Sequence, residues 1–338
     1  MVFGEGFIKR LFGSNRPDNK REIEKKEIPQ FLSNAESRKG DNHEENEDSS
    51  ISNHEHQLYA VFDGVSGAEG GKIASEIARD IFEKGFDSVP FELSENDAIE
   101  KMRSLIQEAH TEICKLKTEE SDMAPGTTAT VIKFLRDPKT QNFYGVIGNI
   151  GDSRLYHVSK GNFRRLTRDH NKQYQESMDR QGKKNVFVNN LSFVDANTGS
   201  VEDELDHWGG VDYSTPDGKN VFAQSKSRNV ITSSLGVTNA RPNYVDIVIV
   251  RGILPGDKFL LTSDGIHDNL TADEISRVII ESTDTKQLVQ TAYERSLDLG
   301  KEDGNLRAKP DDMTAVLLEI NPSKKQTSST RQSLEQAA

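Results

Sequence analysis

The chain has 338 residues, of which 33% are hydrophobic and 29% charged, so it can form a hydrophobic core in one large domain or in two small ones. Its net charge of −12 argues against a nucleic-acid partner, because phosphate binding requires clustered lysine and arginine. No apolar run reaches transmembrane length, and the first residues lack the apolar core of a signal peptide, so we expect a cytoplasmic protein without a membrane span.

The first part of the chain divides into an extension and a patterned region. Residues 1–34 are mixed in charge and weakly patterned, which predicts an N-terminal extension. Apolar runs bounded by turn residues predict a buried strand at residues 58–62 and the strands of a meander at residues 128–135, 143–150 and 153–158. A helix is predicted over residues 70–86, with one apolar face made of Ile73, Ile77, Ile81 and Phe82. Ser94 and Asp97 predict the N-cap of a second helix.

The only cysteine, Cys114, falls in this second helix. A single cysteine excludes an internal disulfide and is typical of a reducing compartment. A cysteine-dependent phosphatase needs an arginine six positions after the nucleophile, and here that position is Glu120. Because Cys114 follows an apolar stripe at helical spacing, we interpret it as a packed helix residue.

The alternation of predicted strands and helices stops after residue 170 and resumes near residue 230. Residues 171–228 are rich in Asn, Gly, Asp and Ser, and their apolar runs are short. Further strands are predicted at residues 244–250, 258–262 and 313–320, and a helix at residues 285–299. Thr271 and Glu274 predict a capping box at the start of another helix. The Ser-, Gln- and Lys-rich residues 321–338 predict a disordered tail.

Acidic residues recur at the ends of the predicted strands. They are Glu47, Asp48, Asp63, Asp152, Asp264, Asp311 and Asp312. One acid in such a place is more often a turn residue than a ligand. Several gathered at one end of a sheet repel one another unless a cation lies between them. The pattern therefore favours a cation site over a set of unrelated turns.

The types of side chain indicate which cation. Carboxylates without neighbouring cysteine or histidine suit Mg²⁺ or Mn²⁺ rather than zinc. Two such ions about 3.5–4 Å apart can share a water, lower its pKa and hold both oxygens of a phosphoryl transfer. A bridging ligand is then required, and Asp63 followed by Gly64 fits this role, because a glycine lets its carbonyl approach the ion.

Eight short motifs follow one another between residues 35 and 320. They are NEDS (46–49), VFDGVSG (61–67), GTTAT (126–130), GNIGDSRLY (148–156), LTRDH (166–170), SRNVITSSLG (227–236), GDKFLLTSDGIHD (256–268) and PDDMTAV (310–316). In this order they resemble the metal-dependent protein phosphatase 2C family, in a form similar to its bacterial members. The resemblance implies a catalytic domain over residues 35–320 with an α+β fold. This fold has two packed antiparallel β-sheets flanked by helices, a four-layer α-β-β-α sandwich with the metals at one end.

The resemblance also assigns the central ligands by position. It implies that Asp63 bridges two metal ions and that Gly64 offers its carbonyl oxygen. Asp264 and Asp311 complete the coordination of one of these ions, so Asp63, Asp264 and Asp311 are the expected catalytic residues. A metal-bound hydroxide would then attack phosphorus in line, without a covalent intermediate.

Further ligands and supports are implied in the same way. Glu47 and Asp48 act on the second ion, partly through water, and Asp152 with Asp264 forms a weaker third site. The expected cofactor is Mg²⁺ or Mn²⁺, with two ions, or three where the weaker site also binds. The remaining motif residues are interpreted as packing, turn or supporting residues: Gly126, Thr127, Thr128, Arg154, Asp268 and Asp312.

Three features depart from the family pattern. The family places an arginine that holds the substrate phosphate three residues before NED, and here that position is His43. The residues after Asp63-Gly64 are Val65, Ser66, Gly67 and Ala68, without the histidine of the usual pattern. The connection 171–228, which contains Trp208, is long; it is either a modified flap over the cleft or a tolerated surface insertion.

These features together predict a metal-dependent phosphatase, which we expect to be a monomer, acting on phosphoserine or phosphothreonine in proteins. Two alternatives stay open. A non-catalytic binding module could have kept the fold, with His43 as its sign, although a site without chemistry has no physical need for clustered acids. A phosphomonoesterase for small molecules would share the metals and differ only in the shape of the cleft.

Overall fold

A computed structural model describes residues 28–65, 70–117, 124–180, 190–195, 230–237, 244–282, 284–301, 305 and 307–321. The predicted N-terminal extension up to residue 27, most of the predicted flap and the predicted tail from residue 322 lie outside these residues. Residues 66–68, where the family pattern is broken, also lie outside them.

The described residues form fourteen strands and six helices. The strands are β1 (Gln30–Arg38), β2 (Ser49–Asn53), β3 (Leu58–Phe62), β4 (Gly64–Val65), β5 (Gly126–Thr127), β6 (Ala129–Arg136), β7 (Phe143–Ile150), β8 (Arg154–Ser159), β9 (Asn162–Arg165), β10 (Asn190–Asp195), β11 (Leu235–Gly236), β12 (Asp246–Arg251), β13 (Lys258–Thr262) and β14 (Met313–Asn321). The helices are α1 (Gly71–Asp87), α2 (Glu95–Cys114), α3 (Lys172–Arg180), α4 (Asp264–His267), α5 (Ala272–Glu281) and α6 (Thr285–Ser296).

Two large sheets pack face to face. One has the strand order β1-β14-β13-β8-β9, the other has the order β10-β12-β7-β6-β3-β2, and β11-β5-β4 form a small third sheet. The core between the large sheets is apolar and contains Tyr59, Phe134 and Phe259. Helices α1 and α2 cover the outer face of the six-stranded sheet, and α5 and α6 cover that of the five-stranded sheet. The predicted four-layer sandwich is confirmed.

Strand β3 shows why the apolar runs are continuous. Leu58, Ala60 and Phe62 pack in the core under the helices, whereas Tyr59 and Val61 pack between the two sheets. All five are fully buried. Because successive side chains of a strand point to opposite faces, a strand covered on both sides needs an apolar residue at every position.

Helix α1 confirms the predicted helix and part of its predicted apolar face. Ile73 is 52% exposed, and Ile77 and Ile81 are only partly buried. The face that meets the sheet is instead made of Ala74, Ala78, Phe82 and Phe86. These rows are neighbours on a helix, and small alanines allow the helix to approach the sheet closely. Phe82 was therefore placed correctly, Ile77 and Ile81 pack against the edge of this core, and only Ile73 was placed wrongly.

The predicted helix caps and the predicted environment of the cysteine agree with the structure. The Ser94 hydroxyl accepts a hydrogen bond from the backbone N–H of Asp97, and Thr271 with Glu274 forms the predicted capping box. Cys114 is partly buried at the end of α2, with its Sγ 3.5 Å from Nε2 of His110. No helix in the described ranges is long and apolar enough to cross a membrane.

Two edges of the sheets differ from the expected boundaries. Strand β1 pairs antiparallel with β14 from Gln30 onward, so residues 30–34, assigned to the N-terminal extension, belong to the sheet. Strand β10, inside the predicted flap 171–228, pairs parallel with β12 and is an exception to the expected antiparallel pairing. Part of that segment is therefore an edge strand and not a surface insertion.

Candidate active site

The predicted acids lie where strands begin or end, and the fold brings them together. Asp63 follows β3, Asp152 follows β7 and Asp264 follows β13, whereas Asp48 and Asp311 precede β2 and β14. Burial and the charges of Asp48, Asp264, Asp311 and Asp152 raise the pKa of Asp63 well above its usual range. We call these five residues the carboxylate cluster.

The backbone of Asp63 is fixed by the threonines of the GTTAT motif. Its carbonyl oxygen accepts hydrogen bonds from the backbone N–H of Thr128 at 2.9 Å and from the Thr127 hydroxyl at 3.0 Å. Its own N–H donates to the Thr128 hydroxyl at 2.9 Å. The supporting role predicted for these two threonines is confirmed, since they hold the residue at the centre of the cluster in place.

Gly64 lies in a space that no side chain can share. A Cβ added to it would be 2.6 Å from the carbonyl carbon of Gly71 and 2.7 Å from the carbonyl oxygen of Glu47. Gly71, at the start of α1, lies in turn against the Glu47 carboxylate, because a Cβ there would be 3.0 Å from its Oε2. The glycines thus let Glu47 and the backbone after Asp63 approach each other closely.

Three members of the cluster have a buried oxygen without a hydrogen-bond partner among the described residues. These atoms are Asp48 Oδ1, Asp152 Oδ1 and Asp264 Oδ1. Burial raises the pKa of Asp48 to about 8, although the hydroxyls of Thr314 and Ser263 act in the opposite direction. Burial likewise raises the pKa of Asp264 to about 7. Ionised carboxylates in such a place are costly unless a cation joins them.

A lysine enters the cluster from the loop before β14. The ammonium of Lys309 pairs with Asp264 and lies 3.0 Å from Asp311 Oδ2 and 3.3 Å from Asp268 Oδ2. The contact with Asp268 is ionic, since this oxygen accepts no hydrogen bond from the described residues. Burial alone would lower the pKa of Lys309, but the charges of the three carboxylates outweigh it and hold the pKa well above its usual value.

His43 lies at another side of the cluster, against two carboxylates. Its Nδ1 is 2.9 Å from Asp312 Oδ2, and its Nε2 is 3.7 Å from Asp311 Oδ1. Asp312 also accepts the backbone N–H groups of Gly40 at 2.8 Å and Glu47 at 2.7 Å. Burial acts to lower the pKa of His43, but Asp312, Asp311 and Glu47 together raise it. Asp312 therefore supports the site, as predicted, by orienting His43 and the chain before Asp48.

Arg154 has the structural role that was predicted for it. Its guanidinium donates to both oxygens of Asp169, with distances of 2.6–3.2 Å, and both residues are buried or nearly so. Among the described residues, the side chain of Asp152, two residues earlier, has only a long contact with Asn171, at 3.5 Å between Oδ2 and Nδ2. The arginine is thus paired within the fold, and Asp152 is left available to a cation.

The residues present fit a hard divalent cation, although a lysine now lies among them. No three acidic, histidine or cysteine side chains of the described ranges are arranged as the ligands of one ion, and the cation between Asp264 and Asp311 is Lys309. The buried oxygens without partners belong to carboxylates, and carboxylate oxygen is the donor that Mg²⁺ and Mn²⁺ prefer.

Sequence reasoning missed Lys309. Only acids were sought near the strand ends, and a lysine is usually exposed. The signal was nevertheless present, because AKPDD places a lysine two residues before the acidic pair. In a segment that delivers Asp311 to a buried cluster, the side chain of Lys309 reaches the same place.

Comparisons with known proteins find similar sequences and similar folds. The putative protein phosphatase 2C-type of Streptococcus pyogenes serotype M6 is 26% identical over 262 residues, which cover 77% of this chain and 85% of that protein. The solved structure of the serine/threonine phosphatase Stp1 from Staphylococcus aureus has a TM-score of 0.61 at 21% identity, over 88% of this chain and 100% of that one. The solved structure of the catalytic domain of the serine threonine protein phosphatase PstP, in complex with two manganese ions, has a TM-score of 0.58 at 20% identity. The match covers 87% of this chain and 100% of that one.

The two structural likenesses agree in the fold, and a family model covers more than half of the chain. The matching model is that of protein phosphatase 2C, and it matches residues 26–206, which include β1 to β10 and the residues from Glu47 to Asp152 of the site. Motifs, fold and family model therefore lead to one conclusion. The chain belongs to the protein phosphatase 2C family.

Proposed function

We propose that this metal-dependent protein phosphatase removes phosphate from phosphoserine and phosphothreonine in protein substrates, with two Mg²⁺ or Mn²⁺ ions as cofactors. The observation that carries the proposal is the carboxylate cluster at one end of the sandwich. Three of its five members have a buried oxygen without a hydrogen-bond partner in the described ranges. Hard cations would satisfy these oxygens and remove the repulsion between them.

The proposed ligands follow from the resemblance and the geometry together. We assign Asp63 and the carbonyl of Gly64 to a position shared by the two ions. Asp264 and Asp311 are assigned as ligands of one ion, and Glu47 and Asp48 as ligands of the other. When bound, such ions neutralise the carboxylates, orient a phosphate and lower the pKa of a water molecule. Hydrogen bonds orient the Asp48 carboxylate: the Ser263 hydroxyl donates to Asp48 Oδ2 at 2.7 Å and accepts the N–H of Thr314 at 2.9 Å.

His43 is the proposed contact for the substrate phosphate. Asp312 holds its Nδ1, which directs Nε2 toward the edge of the cluster near Asp311. A raised pKa favours the protonated ring, which has an N–H to donate at Nε2. A histidine offers one hydrogen bond here where an arginine offers two, so we expect chemistry to be retained with weaker binding of phosphate.

The catalytic domain in this proposal extends from β1 to β14. The proposal also includes a monomer that acts in the cytoplasm, which rests on the sequence features alone. The single cysteine is the feature that favours a reducing compartment such as the cytoplasm.

The test is turnover of a phosphothreonine peptide and of p-nitrophenyl phosphate by the purified full chain, with Mn²⁺ and then with excess chelator. We expect both activities with Mn²⁺ and neither with chelator. Asp63→Asn should lower kcat by orders of magnitude. Asp137→Asn should not, and it is the matched control, because Asp137 is a partly exposed aspartate in the turn after β6, outside the carboxylate cluster. Full turnover in chelator would contradict the metal assignment.

Two departures favour a second candidate, a non-catalytic binding module. His43 replaces the expected arginine, and Lys309 pairs with two of the proposed ligands. The same assay separates the candidates: binding of the phosphopeptide without turnover in Mn²⁺ would support the binding module. Turnover of p-nitrophenyl phosphate alone would support the phosphomonoesterase for small molecules.

A further inference from the structure

The loop before β14 carries a cation into the cluster. Lys309 is only 9% exposed, and its ammonium contacts the carboxylates of Asp264, Asp268 and Asp311. A lysine is rarely buried unless it is paired, because its ammonium loses its hydration. Here three carboxylates replace that hydration, so the pairing compensates for the burial.

The position of Lys309 is fixed by its backbone as well as by its charge. The fully buried side chain of Asn269 accepts the N–H of Lys309 at 2.9 Å and donates to its carbonyl oxygen at 2.8 Å. Asn269 directly follows Asp268, on the segment that also provides Asp264. This amide therefore fastens the lysine to the same stretch of chain that carries two of its carboxylate partners.

Lys309 contacts both Asp264 and Asp311, the ligands proposed for one ion, through one oxygen of each. Its ammonium contacts Oδ2 of Asp264 and Oδ2 of Asp311, whereas Oδ1 of Asp264 has no hydrogen-bond partner in the described part of the chain. That free oxygen can join Asp63 on an ion. The ammonium thus satisfies one side of Asp264 and leaves the other side to the metal.

The weaker third site is different, because the lysine contacts one of its two ligands, Asp264, and also the neighbouring Asp268. The resemblance builds that site from Asp152 and Asp264, and the charge of Lys309 acts on both. A third dication there would share Asp264 with an ammonium that also contacts Asp268. Two cations this close repel each other strongly in a buried site.

We propose that Lys309 is a built-in cation that takes the place of the third metal ion, so that the protein binds two divalent ions per chain. This inference rests on the proposed function for those two ions. It goes beyond that function because it fixes the number of ions and names the residue that sets it. The lysine neutralises the part of the site formed by Asp152, Asp264 and Asp268 without the need for a metal.

The test counts bound manganese by equilibrium dialysis, with free Mn²⁺ measured by electron paramagnetic resonance. Wild type should bind two ions per chain, and Lys309→Met should bind a third, weaker one. Lys133→Met is the matched control, because Lys133 is also buried but donates to the carbonyl oxygen of His56; it should still bind two ions. Three ions in wild type, or two in Lys309→Met, would overturn the inference. No manganese in wild type would contradict the proposed function itself.

Melting temperatures provide a second measurement that does not depend on activity. In chelator, Lys309→Met should melt below wild type, because three carboxylates lose their cation, and added Mn²⁺ should raise its melting temperature several times more than that of wild type. Equal shifts in the two proteins would overturn the inference. If Lys309→Met does not fold even in Mn²⁺, Lys309→Gln decides the question, because it removes the charge but keeps a polar side chain. It should bind a third ion, and two ions in this variant would overturn the inference.

Discussion

Asp63→Asn should make the metal-free protein more stable, although Asp63 is the ligand proposed for both ions. Burial and the charges of Asp48, Asp264 and Asp311 raise the pKa of Asp63 well above its usual range. At neutral pH, above the pKa of an aspartate in the unfolded chain, this shift opposes folding. No lysine, arginine or histidine of the described ranges pairs with Asp63, so removal of its charge breaks no ion pair there.

The cost of one such buried carboxylate can be judged from a neighbour in the cluster. The pKa of Asp264 is raised from 3.8 to about 7 even with Lys309 beside it. Each unit of pKa corresponds to about 1.4 kcal/mol, so the raised pKa of Asp264 opposes folding at neutral pH by at most about 4 kcal/mol. Relaxation and water penetration at such a site reduce this cost. We expect a gain of about 1–3 kcal/mol, which raises the melting temperature of a protein of this size by a few degrees.

The assay is thermal unfolding followed by circular dichroism in excess chelator at neutral pH. Asp246→Asn is the matched control, because Asp246 is a buried aspartate with a cationic partner, Arg168, whose Nε lies at 2.5 Å; His170 Nε2 lies at 3.1 Å. The same chemical change should there destabilise by about 3–5 kcal/mol, since it leaves a buried charge without its partner. A lower melting temperature for Asp63→Asn than for wild type in chelator would show that repulsion between the carboxylates does not destabilise the metal-free protein.

Three further outcomes are expected. Mn²⁺ or Mg²⁺ should support hydrolysis of p-nitrophenyl phosphate and Zn²⁺ should not, because the site offers only hard oxygen ligands; equal rates with Zn²⁺ would contradict the proposed ligand set. His43→Arg should lower KM for this substrate several-fold, since a guanidinium donates two hydrogen bonds to phosphate; an unchanged KM would place residue 43 away from the phosphate. Burial alone would raise the pKa of Glu274, but Arg295 and Thr271 outweigh it and lower the pKa from 4.5 to about 2. Glu274→Gln should therefore destabilise by roughly 1 kcal/mol near pH 7. That deficit should shrink as pH falls from about 5 toward 2, and one that stays constant over this range would refute the pairing.

The elements of the fold were largely predictable from local pattern, because strands, caps and turns act on near neighbours. The run LYAVF and the capping box at Thr271 are examples, and both are found in the structure. Strand β10 shows the limit, since its short apolar run lies among polar residues, and only its pairing with β12 makes it a strand. Ile73 shows a second limit. Isoleucine is more hydrophobic than alanine, but close packing on the sheet placed Ala74 and Ala78, and not Ile73, on the buried face of the helix.

The acidic residues of the site could be predicted from the sequence, but the side chains that pair with them could not. The reason lies in the order of the strands. Strand β14 lies between β1 and β13, and Arg38 and Thr262, at the ends of those strands, pair with Met313 and Ala315 near its start. The loop that enters β14 must therefore run between the chain leaving β1 and the chain leaving β13. Asp312 meets His43 on one side, and Lys309 meets Asp264 on the other. Periodicity carries no information about contacts 269 and 45 residues apart, but the order of three strands determines both.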